Sequence, residues 1–139
     1  MDRSEAGEFV QRWANAWSTP MRPAELAALY TDDAATGGSI RPLSPFTQES
    51  FDGADKMWTG KTLVEKWYLA DEDRIVVHWC FEGAHEGQHY DYPGLAVLSM
   101  REGKCFLEEH YGSDLRLPPD IQKTAARSRG VPERGQVDA

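Results

Sequence analysis

Positive charge is scarce in this chain. Fifteen Lys and Arg stand against 23 Asp and Glu in 139 residues, a formal net charge of -8. Such a field repels phosphates, so neither nucleic acid nor an anionic membrane surface is an expected partner. No apolar run approaches the ~20 residues that a bilayer-spanning helix needs. The opening M-D-R-S-E-A-G-E is polar and has no signal-peptide core, and a cytoplasmic protein is the expectation. Internal repeats are lacking too. Cysteine is nearly absent: only Cys80 and Cys105, without C-x-x-C spacing or clustered histidines, so neither a structural zinc site nor another metal centre is expected.

What is present is a β-rich stretch, Arg74–Asp114, around which the rest is organised. Arg74 to Ala84 is dense in β-branched and aromatic residues, Tyr90 to Met100 follows, and Cys105 to Tyr111 closes the series. Gly83 and Gly87 punctuate the first turn, and Arg101-Glu102-Gly103-Lys104 reads as a hairpin with Gly103 free to take positive φ. Connections this short impose antiparallel pairing, so the expectation is one large antiparallel meander. Cys80 and Cys105 then flank an intervening strand. Two spacings of ~4.8 Å put them beyond the ~7 Å Cα limit for a disulfide, and they read as small buried hydrophobes.

Before the meander, Ser4–Ser18 reads as an amphipathic helix with Ser4 as its cap and Phe9, Trp13, Ala16 and Trp17 on one face. Pro23–Tyr30 is a second helix, and Thr31-Asp32-Asp33-Ala34 is expected to end it in a turn. Residues 35–60 carry little periodicity: a short strand near Ala34–Ile40, an extended Arg41–Pro45, and a helix within Phe46–Trp58 are expected. Lys61–Ala70 is a further strand, making the whole an α+β domain over residues 1–117. Residues 118–139 are polar and lack apolar periodicity, which marks a tail.

Four pieces in order carry a family resemblance: F-V-Q-R-W-A-N-A-W, A-L-Y-T-D-D-A, V-V-H-W-C-F-E-G-A-H-E-G and R-E-G-K-C-F-L-E-E-H-Y-G-S-D. Together they resemble the nuclear transport factor 2-like superfamily, and within it the SnoaL-like proteins, over roughly residues 5 to 117. The resemblance implies a cone, with N-terminal helices packed on a curved antiparallel sheet and an apolar hollow between them. Members include ketosteroid isomerase, scytalone dehydratase, limonene epoxide hydrolase and polyketide cyclases, besides binding and dimerisation modules, so the fold alone does not assign chemistry. The ketosteroid isomerase residues are missing: Trp13 stands at its tyrosine position, Gly37-Gly38 at its base, and Leu95-Ala96-Val97 on the strand of its second acid.

If Trp79 and Phe81 point into the cone, Val77 and His85 share that face by alternation. Matching Gly103-Lys104 to the family's hairpin turns Phe106, Glu108 and His110 inward as well. The expected site therefore joins His85 and His110 as acid–base groups and Tyr30 from the second helix. Asp114 resembles the terminal aspartate of SnoaL-like cyclases. Trp13, Trp17, Trp79, Phe81, Leu98, Met100 and Glu108 are the expected substrate-binding wall. A histidine beside a buried carboxylate can exchange protons near neutral pH. The reading is a protein that binds an apolar or polyketide-like small molecule and acts on it without a cofactor, as a cyclase, dehydratase or isomerase. The alternative is a non-catalytic ligand-binding or dimerisation module. Trp67 or Tyr68 with Val76, His78 and Cys80 would form an apolar outer sheet face, for which a homodimer is expected.

Overall fold

The computed structural model describes residues 1–39, 42–112 and 120. It opens with α1, Arg3–Trp17, which starts one residue earlier than expected because Asp2, rather than Ser4, caps it. The Asp2 carboxylate accepts from the Glu5 amide and the Glu5 side chain reaches back to the Asp2 amide, a reciprocal capping box. Ala6, Phe9, Val10, Trp13, Ala14 and Ala16 form its buried stripe. The short α2, Pro23–Leu29, has Pro in its first turn and buries Leu26 and Leu29.

The expected turn after α2 does not form. Tyr30 already begins β1, Tyr30–Gly38, and the two aspartates sit on the exposed side of that strand. Asp33 accepts from Thr31 Oγ1 and from Arg101, which satisfies the short acceptor without breaking the chain direction. A two-residue strand β2, Ser44–Pro45, pairs with β1. Helix α3, Gln48–Met57, follows from a Thr47/Ser50 capping box, with Phe51 as its buried anchor.

Strands β3 (Thr59–Ala70), β4 (Arg74–His85), β5 (Gln88–Arg101) and β6 (Lys104–Tyr111) make the meander. Gly83 lies inside β4, opposite Tyr90; the turn itself is Glu86-Gly87, both at positive φ. The sheet order is β2-β1-β6-β5-β4-β3. It is mixed rather than wholly antiparallel, because β1 runs parallel to β6. Only hairpin-linked strands are obliged to be antiparallel, and β1 is separated from its partner by the whole of α3 and the meander.

Register decides what faces inward. A bulge between Ser99 and Met100 sets Cys105 in the core and shifts Phe106 out of it, where the Arg101 guanidinium lies 4.5 Å over its ring. Phe106 therefore leaves the inward face predicted for it, while Glu108 and His110 keep theirs. Trp13, Leu26, Leu29, Ile75, Val77 and Leu98 are all but inaccessible, each contributing about 1.5–3 kcal/mol by burial. Cys80 and Cys105 are free thiols. Among the described residues no helix is long and apolar enough to cross a membrane. Asp114, and the tail apart from Asp120, lie outside the described residues.

Candidate functional site

The chemistry gathers around one carboxylate. Glu108 sits mid-β6 on the inward parity, and only 2% of its surface is exposed. Three elements bring donors to it. From α1, the Trp13 indole N–H donates to Oε1 at 2.7 Å. From the α2–β1 junction, the Tyr30 hydroxyl donates to the same oxygen at 2.6 Å. From two residues along β6, His110 Nε2 meets Oε2 at 2.9 Å. The Tyr30 oxygen in turn accepts the Trp17 indole N–H at 3.0 Å and a longer branch from Trp13 at 3.2 Å.

The β1–β6 ladder holds this arrangement in register. Thr36 pairs with Glu108 and its hydroxyl donates to the Glu108 carbonyl, while Gly38 pairs with His110. Gly38 takes φ +133, and a Cβ there would run into the His110 backbone, so a glycine lets β1 approach that closely. Gly37-Gly38, unpromising as a proton-transfer motif, thus positions the histidine.

The electrostatics follow from burial and partners. Burial pushes the Glu108 carboxyl upward, but the His110 hydrogen bond and charge and the Tyr30 and Trp13 donors outweigh it and hold it below its ordinary value. Tyr30 moves the other way: burial first, then the Glu108 charge, raise its phenol well above 10.0. Burial, with Glu108 second, likewise raises the Cys105 thiol. Glu108 is therefore an anionic acceptor, Tyr30 stays a donor, and His110 carries a proton on Nε2. The Nδ1 atom of His110 has no hydrogen-bond partner among the described residues, and the His110 side chain is 27% exposed.

An aromatic wall continues from His110 along the sheet. Trp79 meets the His110 ring edge-on at 5.8 Å, Tyr92 packs on both Trp79 and Phe81, and Trp58 packs on Phe81. Trp17, Phe46 and Phe51 form a second aromatic cluster, in contact with one another and with Tyr30. Trp79 Nε1 is buried without a hydrogen-bond partner among the described residues. Of the expected lining, Trp13 and Leu98 are packed solid in the core with Met100 beside them, whereas Trp79 and Phe81 belong to the wall.

His85 does not join His110. It is on the inward parity, but it lies eight positions beyond Val77, which faces Ala96, the neighbour of His110. At ~3.3 Å per residue that is about 26 Å of strand. There His85 Nδ1 bonds to the Met57 carbonyl at 2.9 Å and Nε2 to Asp120 at 3.1 Å, with Trp58 against its ring. The Met57 carbonyl raises its pKa most, burial opposes that, and Asp120 and then Glu86 add smaller upward effects. The two-histidine convergence expected from alternation is thus corrected: alternation fixes a face, not a position along it.

The ligand atoms of His85, Glu86 and Asp120, and those of Glu82, His89 and Asp91, lie within 4.8 Å of one another in each set. Five of these six residues are exposed, and nothing but proximity marks them as metal sites. A groove of about 370 Å³ borders β1, β2 and the loop before α3, and it shares only Phe46 with the aromatic cluster. Sequence reasoning passed over Lys61, which is 4% exposed. The parity of Lys61 with Leu63 on β3 was the available signal.

No protein-family model matches this chain, and no curated protein does. Solved structures do. A protein of ketosteroid isomerase-like fold from Catenulispora acidiphila, in complex with trimethylamine, aligns over 94% of this chain and 98% of its own at 18% identity and TM-score 0.68. A candidate polyketide cyclase from Xanthomonas campestris aligns over 91% and 98% at 18% identity and TM-score 0.68. TerC, co-crystallised with polyporic acid, aligns over 86% and 98% at 12% identity and TM-score 0.70. The fold is the ketosteroid isomerase-like cone, as the resemblance implied.

Proposed function

We propose that the space between the sheet wall and the Trp17–Phe46–Phe51 cluster takes an apolar, planar small molecule, on which His110 performs acid–base chemistry without a cofactor. The observation that carries this reading is the buried Glu108 carboxylate, which fixes a partly exposed imidazole by its Nε2 and leaves Nδ1 without a partner among the described residues. Neutral His110 then takes a proton from an acidified carbon of the ligand, Glu108 stabilises the imidazolium, and the proton returns to another position. Tyr30 and Trp13 hold the carboxylate, and Trp17 in turn holds the Tyr30 hydroxyl. Cyclase, dehydratase and isomerase steps all begin with this abstraction. The ligands in two of the similar structures, trimethylamine and polyporic acid, support a small molecule as the occupant. The setting is cytoplasmic, where the unbridged Cys80 and Cys105 stay reduced, and the working form is a homodimer.

The test uses 2-tetralone, a planar ketone with acidic C–H groups. Wild type should speed its hydrogen–deuterium exchange in D2O, followed by NMR, and His110→Phe should lose ~10²-fold or more of that rate. Equal rates in the two proteins would sink the proton-transfer role. The separation of His85 from His110 favours a second reading, a ligand-binding module without turnover. That reading expects wild type to bind the ketone while exchange stays at the uncatalysed rate.

A further inference from the structure

The interior of the cone holds a cation that no acid contacts among the described residues. Lys61 is on the inward parity of β3 and is 4% exposed, so its ammonium does not reach bulk water by extending outward. Its backbone is tied down by the α1–α2 connection: the Thr19 amide donates to the Lys61 carbonyl at 2.7 Å, and the Lys61 amide donates to Thr19 Oγ1 at 2.9 Å. Among the described residues the ammonium meets only soft partners, the Met21 thioether sulfur and the face of the Trp17 indole, 5.7 Å from the ring centroid. A thioether is a weak acceptor, and an indole face returns only part of the solvation that a buried cation loses. Among the described residues no carboxylate lies within ion-pair distance of Nζ; the nearest field is that of Asp55, on the exposed side of α3.

Polar accounting in the interior leans one way. The one buried carboxylate among the described residues, Glu108, is already engaged by Trp13, Tyr30 and His110. Among the described residues, the buried groups left without a matching partner are donors, Trp79 Nε1 and Lys61 Nζ. Lys61 also touches the Trp17 ring, which packs on Phe46 and Phe51, so it borders the proposed ligand space.

Resting on the pocket reading above, we infer that Lys61 is an anion-binding subsite and that the ligand is an aromatic molecule bearing a carboxylate, paired with the Lys61 ammonium. Burial lowers the Lys61 pKa from 10.5 to about 8, against the weaker upward pull of Asp55. An anion beside it reverses that shift, so it binds the protonated amine and loses affinity as pH rises past about 8.

The experiment titrates wild type and Lys61→Met with 2-naphthoate and with 2-naphthamide by calorimetry between pH 6.5 and 9.5. Expected is a preference for naphthoate of about tenfold or more in wild type at pH 7, fading above pH 8 by up to about tenfold per unit, because the neutral amine attracts no anion. Lys61→Met should bind naphthamide as wild type does and show no preference at any pH. Equal wild-type affinities for the two probes, or a preference that survives in Lys61→Met, overturns the subsite while leaving the pocket intact. Binding of neither probe overturns the pocket and the subsite together. If Lys61→Met does not fold, the wild-type pH series decides alone, since a preference constant across pH 8 overturns the assignment.

Discussion

Trp79 lies over Gly94, its directly opposed neighbour on β5, and the six-membered ring of the indole fills the place where a Cβ at residue 94 would stand. Strand β5 thereby gives up a side chain so that the wall beside His110 can be flat. The Gly94 carbonyl is engaged as well, by His78 Nδ1 on the other face at 3.1 Å. Gly94→Ala should force Trp79 off the sheet and destabilise the protein by about 1–3 kcal/mol, the usual cost of overpacking. Urea unfolding measures this. A change below a few tenths would mean that the indole moves freely.

Glu108→Gln keeps the volume and removes the charge, leaving three donors aimed at a neutral amide. A loss of about 1–3 kcal/mol at pH 7 is expected. Because the folded-state pKa is depressed, the wild-type advantage is complete above 4.5 and disappears as pH falls through the lower folded value. Stability curves of wild type and variant should therefore converge in acid. Parallel curves down to pH 3 would contradict an anionic Glu108.

The two inward-parity histidines should separate in function. His85→Ala removes contacts to the Met57 carbonyl and Asp120 far from the network and should leave ketone exchange within about twofold of wild type. His110→Phe should abolish the acceleration while the near-ultraviolet circular dichroism of the aromatic core persists. Comparable losses in both variants would revive a shared role.

The outer sheet face predicts assembly. Val64, Trp67 and Leu69 on β3 are 44%, 46% and 61% exposed, and Trp67 stacks on His78 of β4 across that face. Wild type should scatter light as twice the 15.7 kDa chain at micromolar concentration, and Trp67→Glu should return single chains. A single-chain mass for wild type would exclude the dimer.

How much of this could be read beforehand depends on the range of the cause. Helix α1 and the three hairpins of the meander follow from local periodicity and turn chemistry and are legible, whereas the inward parity of Glu108 came from matching Gly103-Lys104 to the family's hairpin. The Asp2 cap needed only the carboxyl-to-Glu5 spacing, and was missed because serine is the more familiar choice. The bulge that exchanges Phe106 for Cys105 leaves no trace in alternation. Parallel pairing of β1 with β6 joins segments with no shared pattern; it runs through Tyr30 and Ala35–Gly38, with Thr31–Ala34 as an irregularity between them that still continues the strand. The site was half legible for the same reason: His110 and Glu108 share a strand, whereas the distance to His85 depends on register across two ladders.

That parallel pairing also sets an order in time. Tyr30 and Glu108 are 78 residues apart, and β1 has no neighbour but the two-residue β2 until β6 exists. At a synthesis rate of about 5–20 residues per second, some 4–16 s separate the two halves of the site. Through that interval the Trp13 and Trp17 indoles, already made, wait without the carboxylate that orders them. The emergence of β6 therefore completes the six-stranded sheet and the proton-handling group in one event, and a chain arrested before it carries neither.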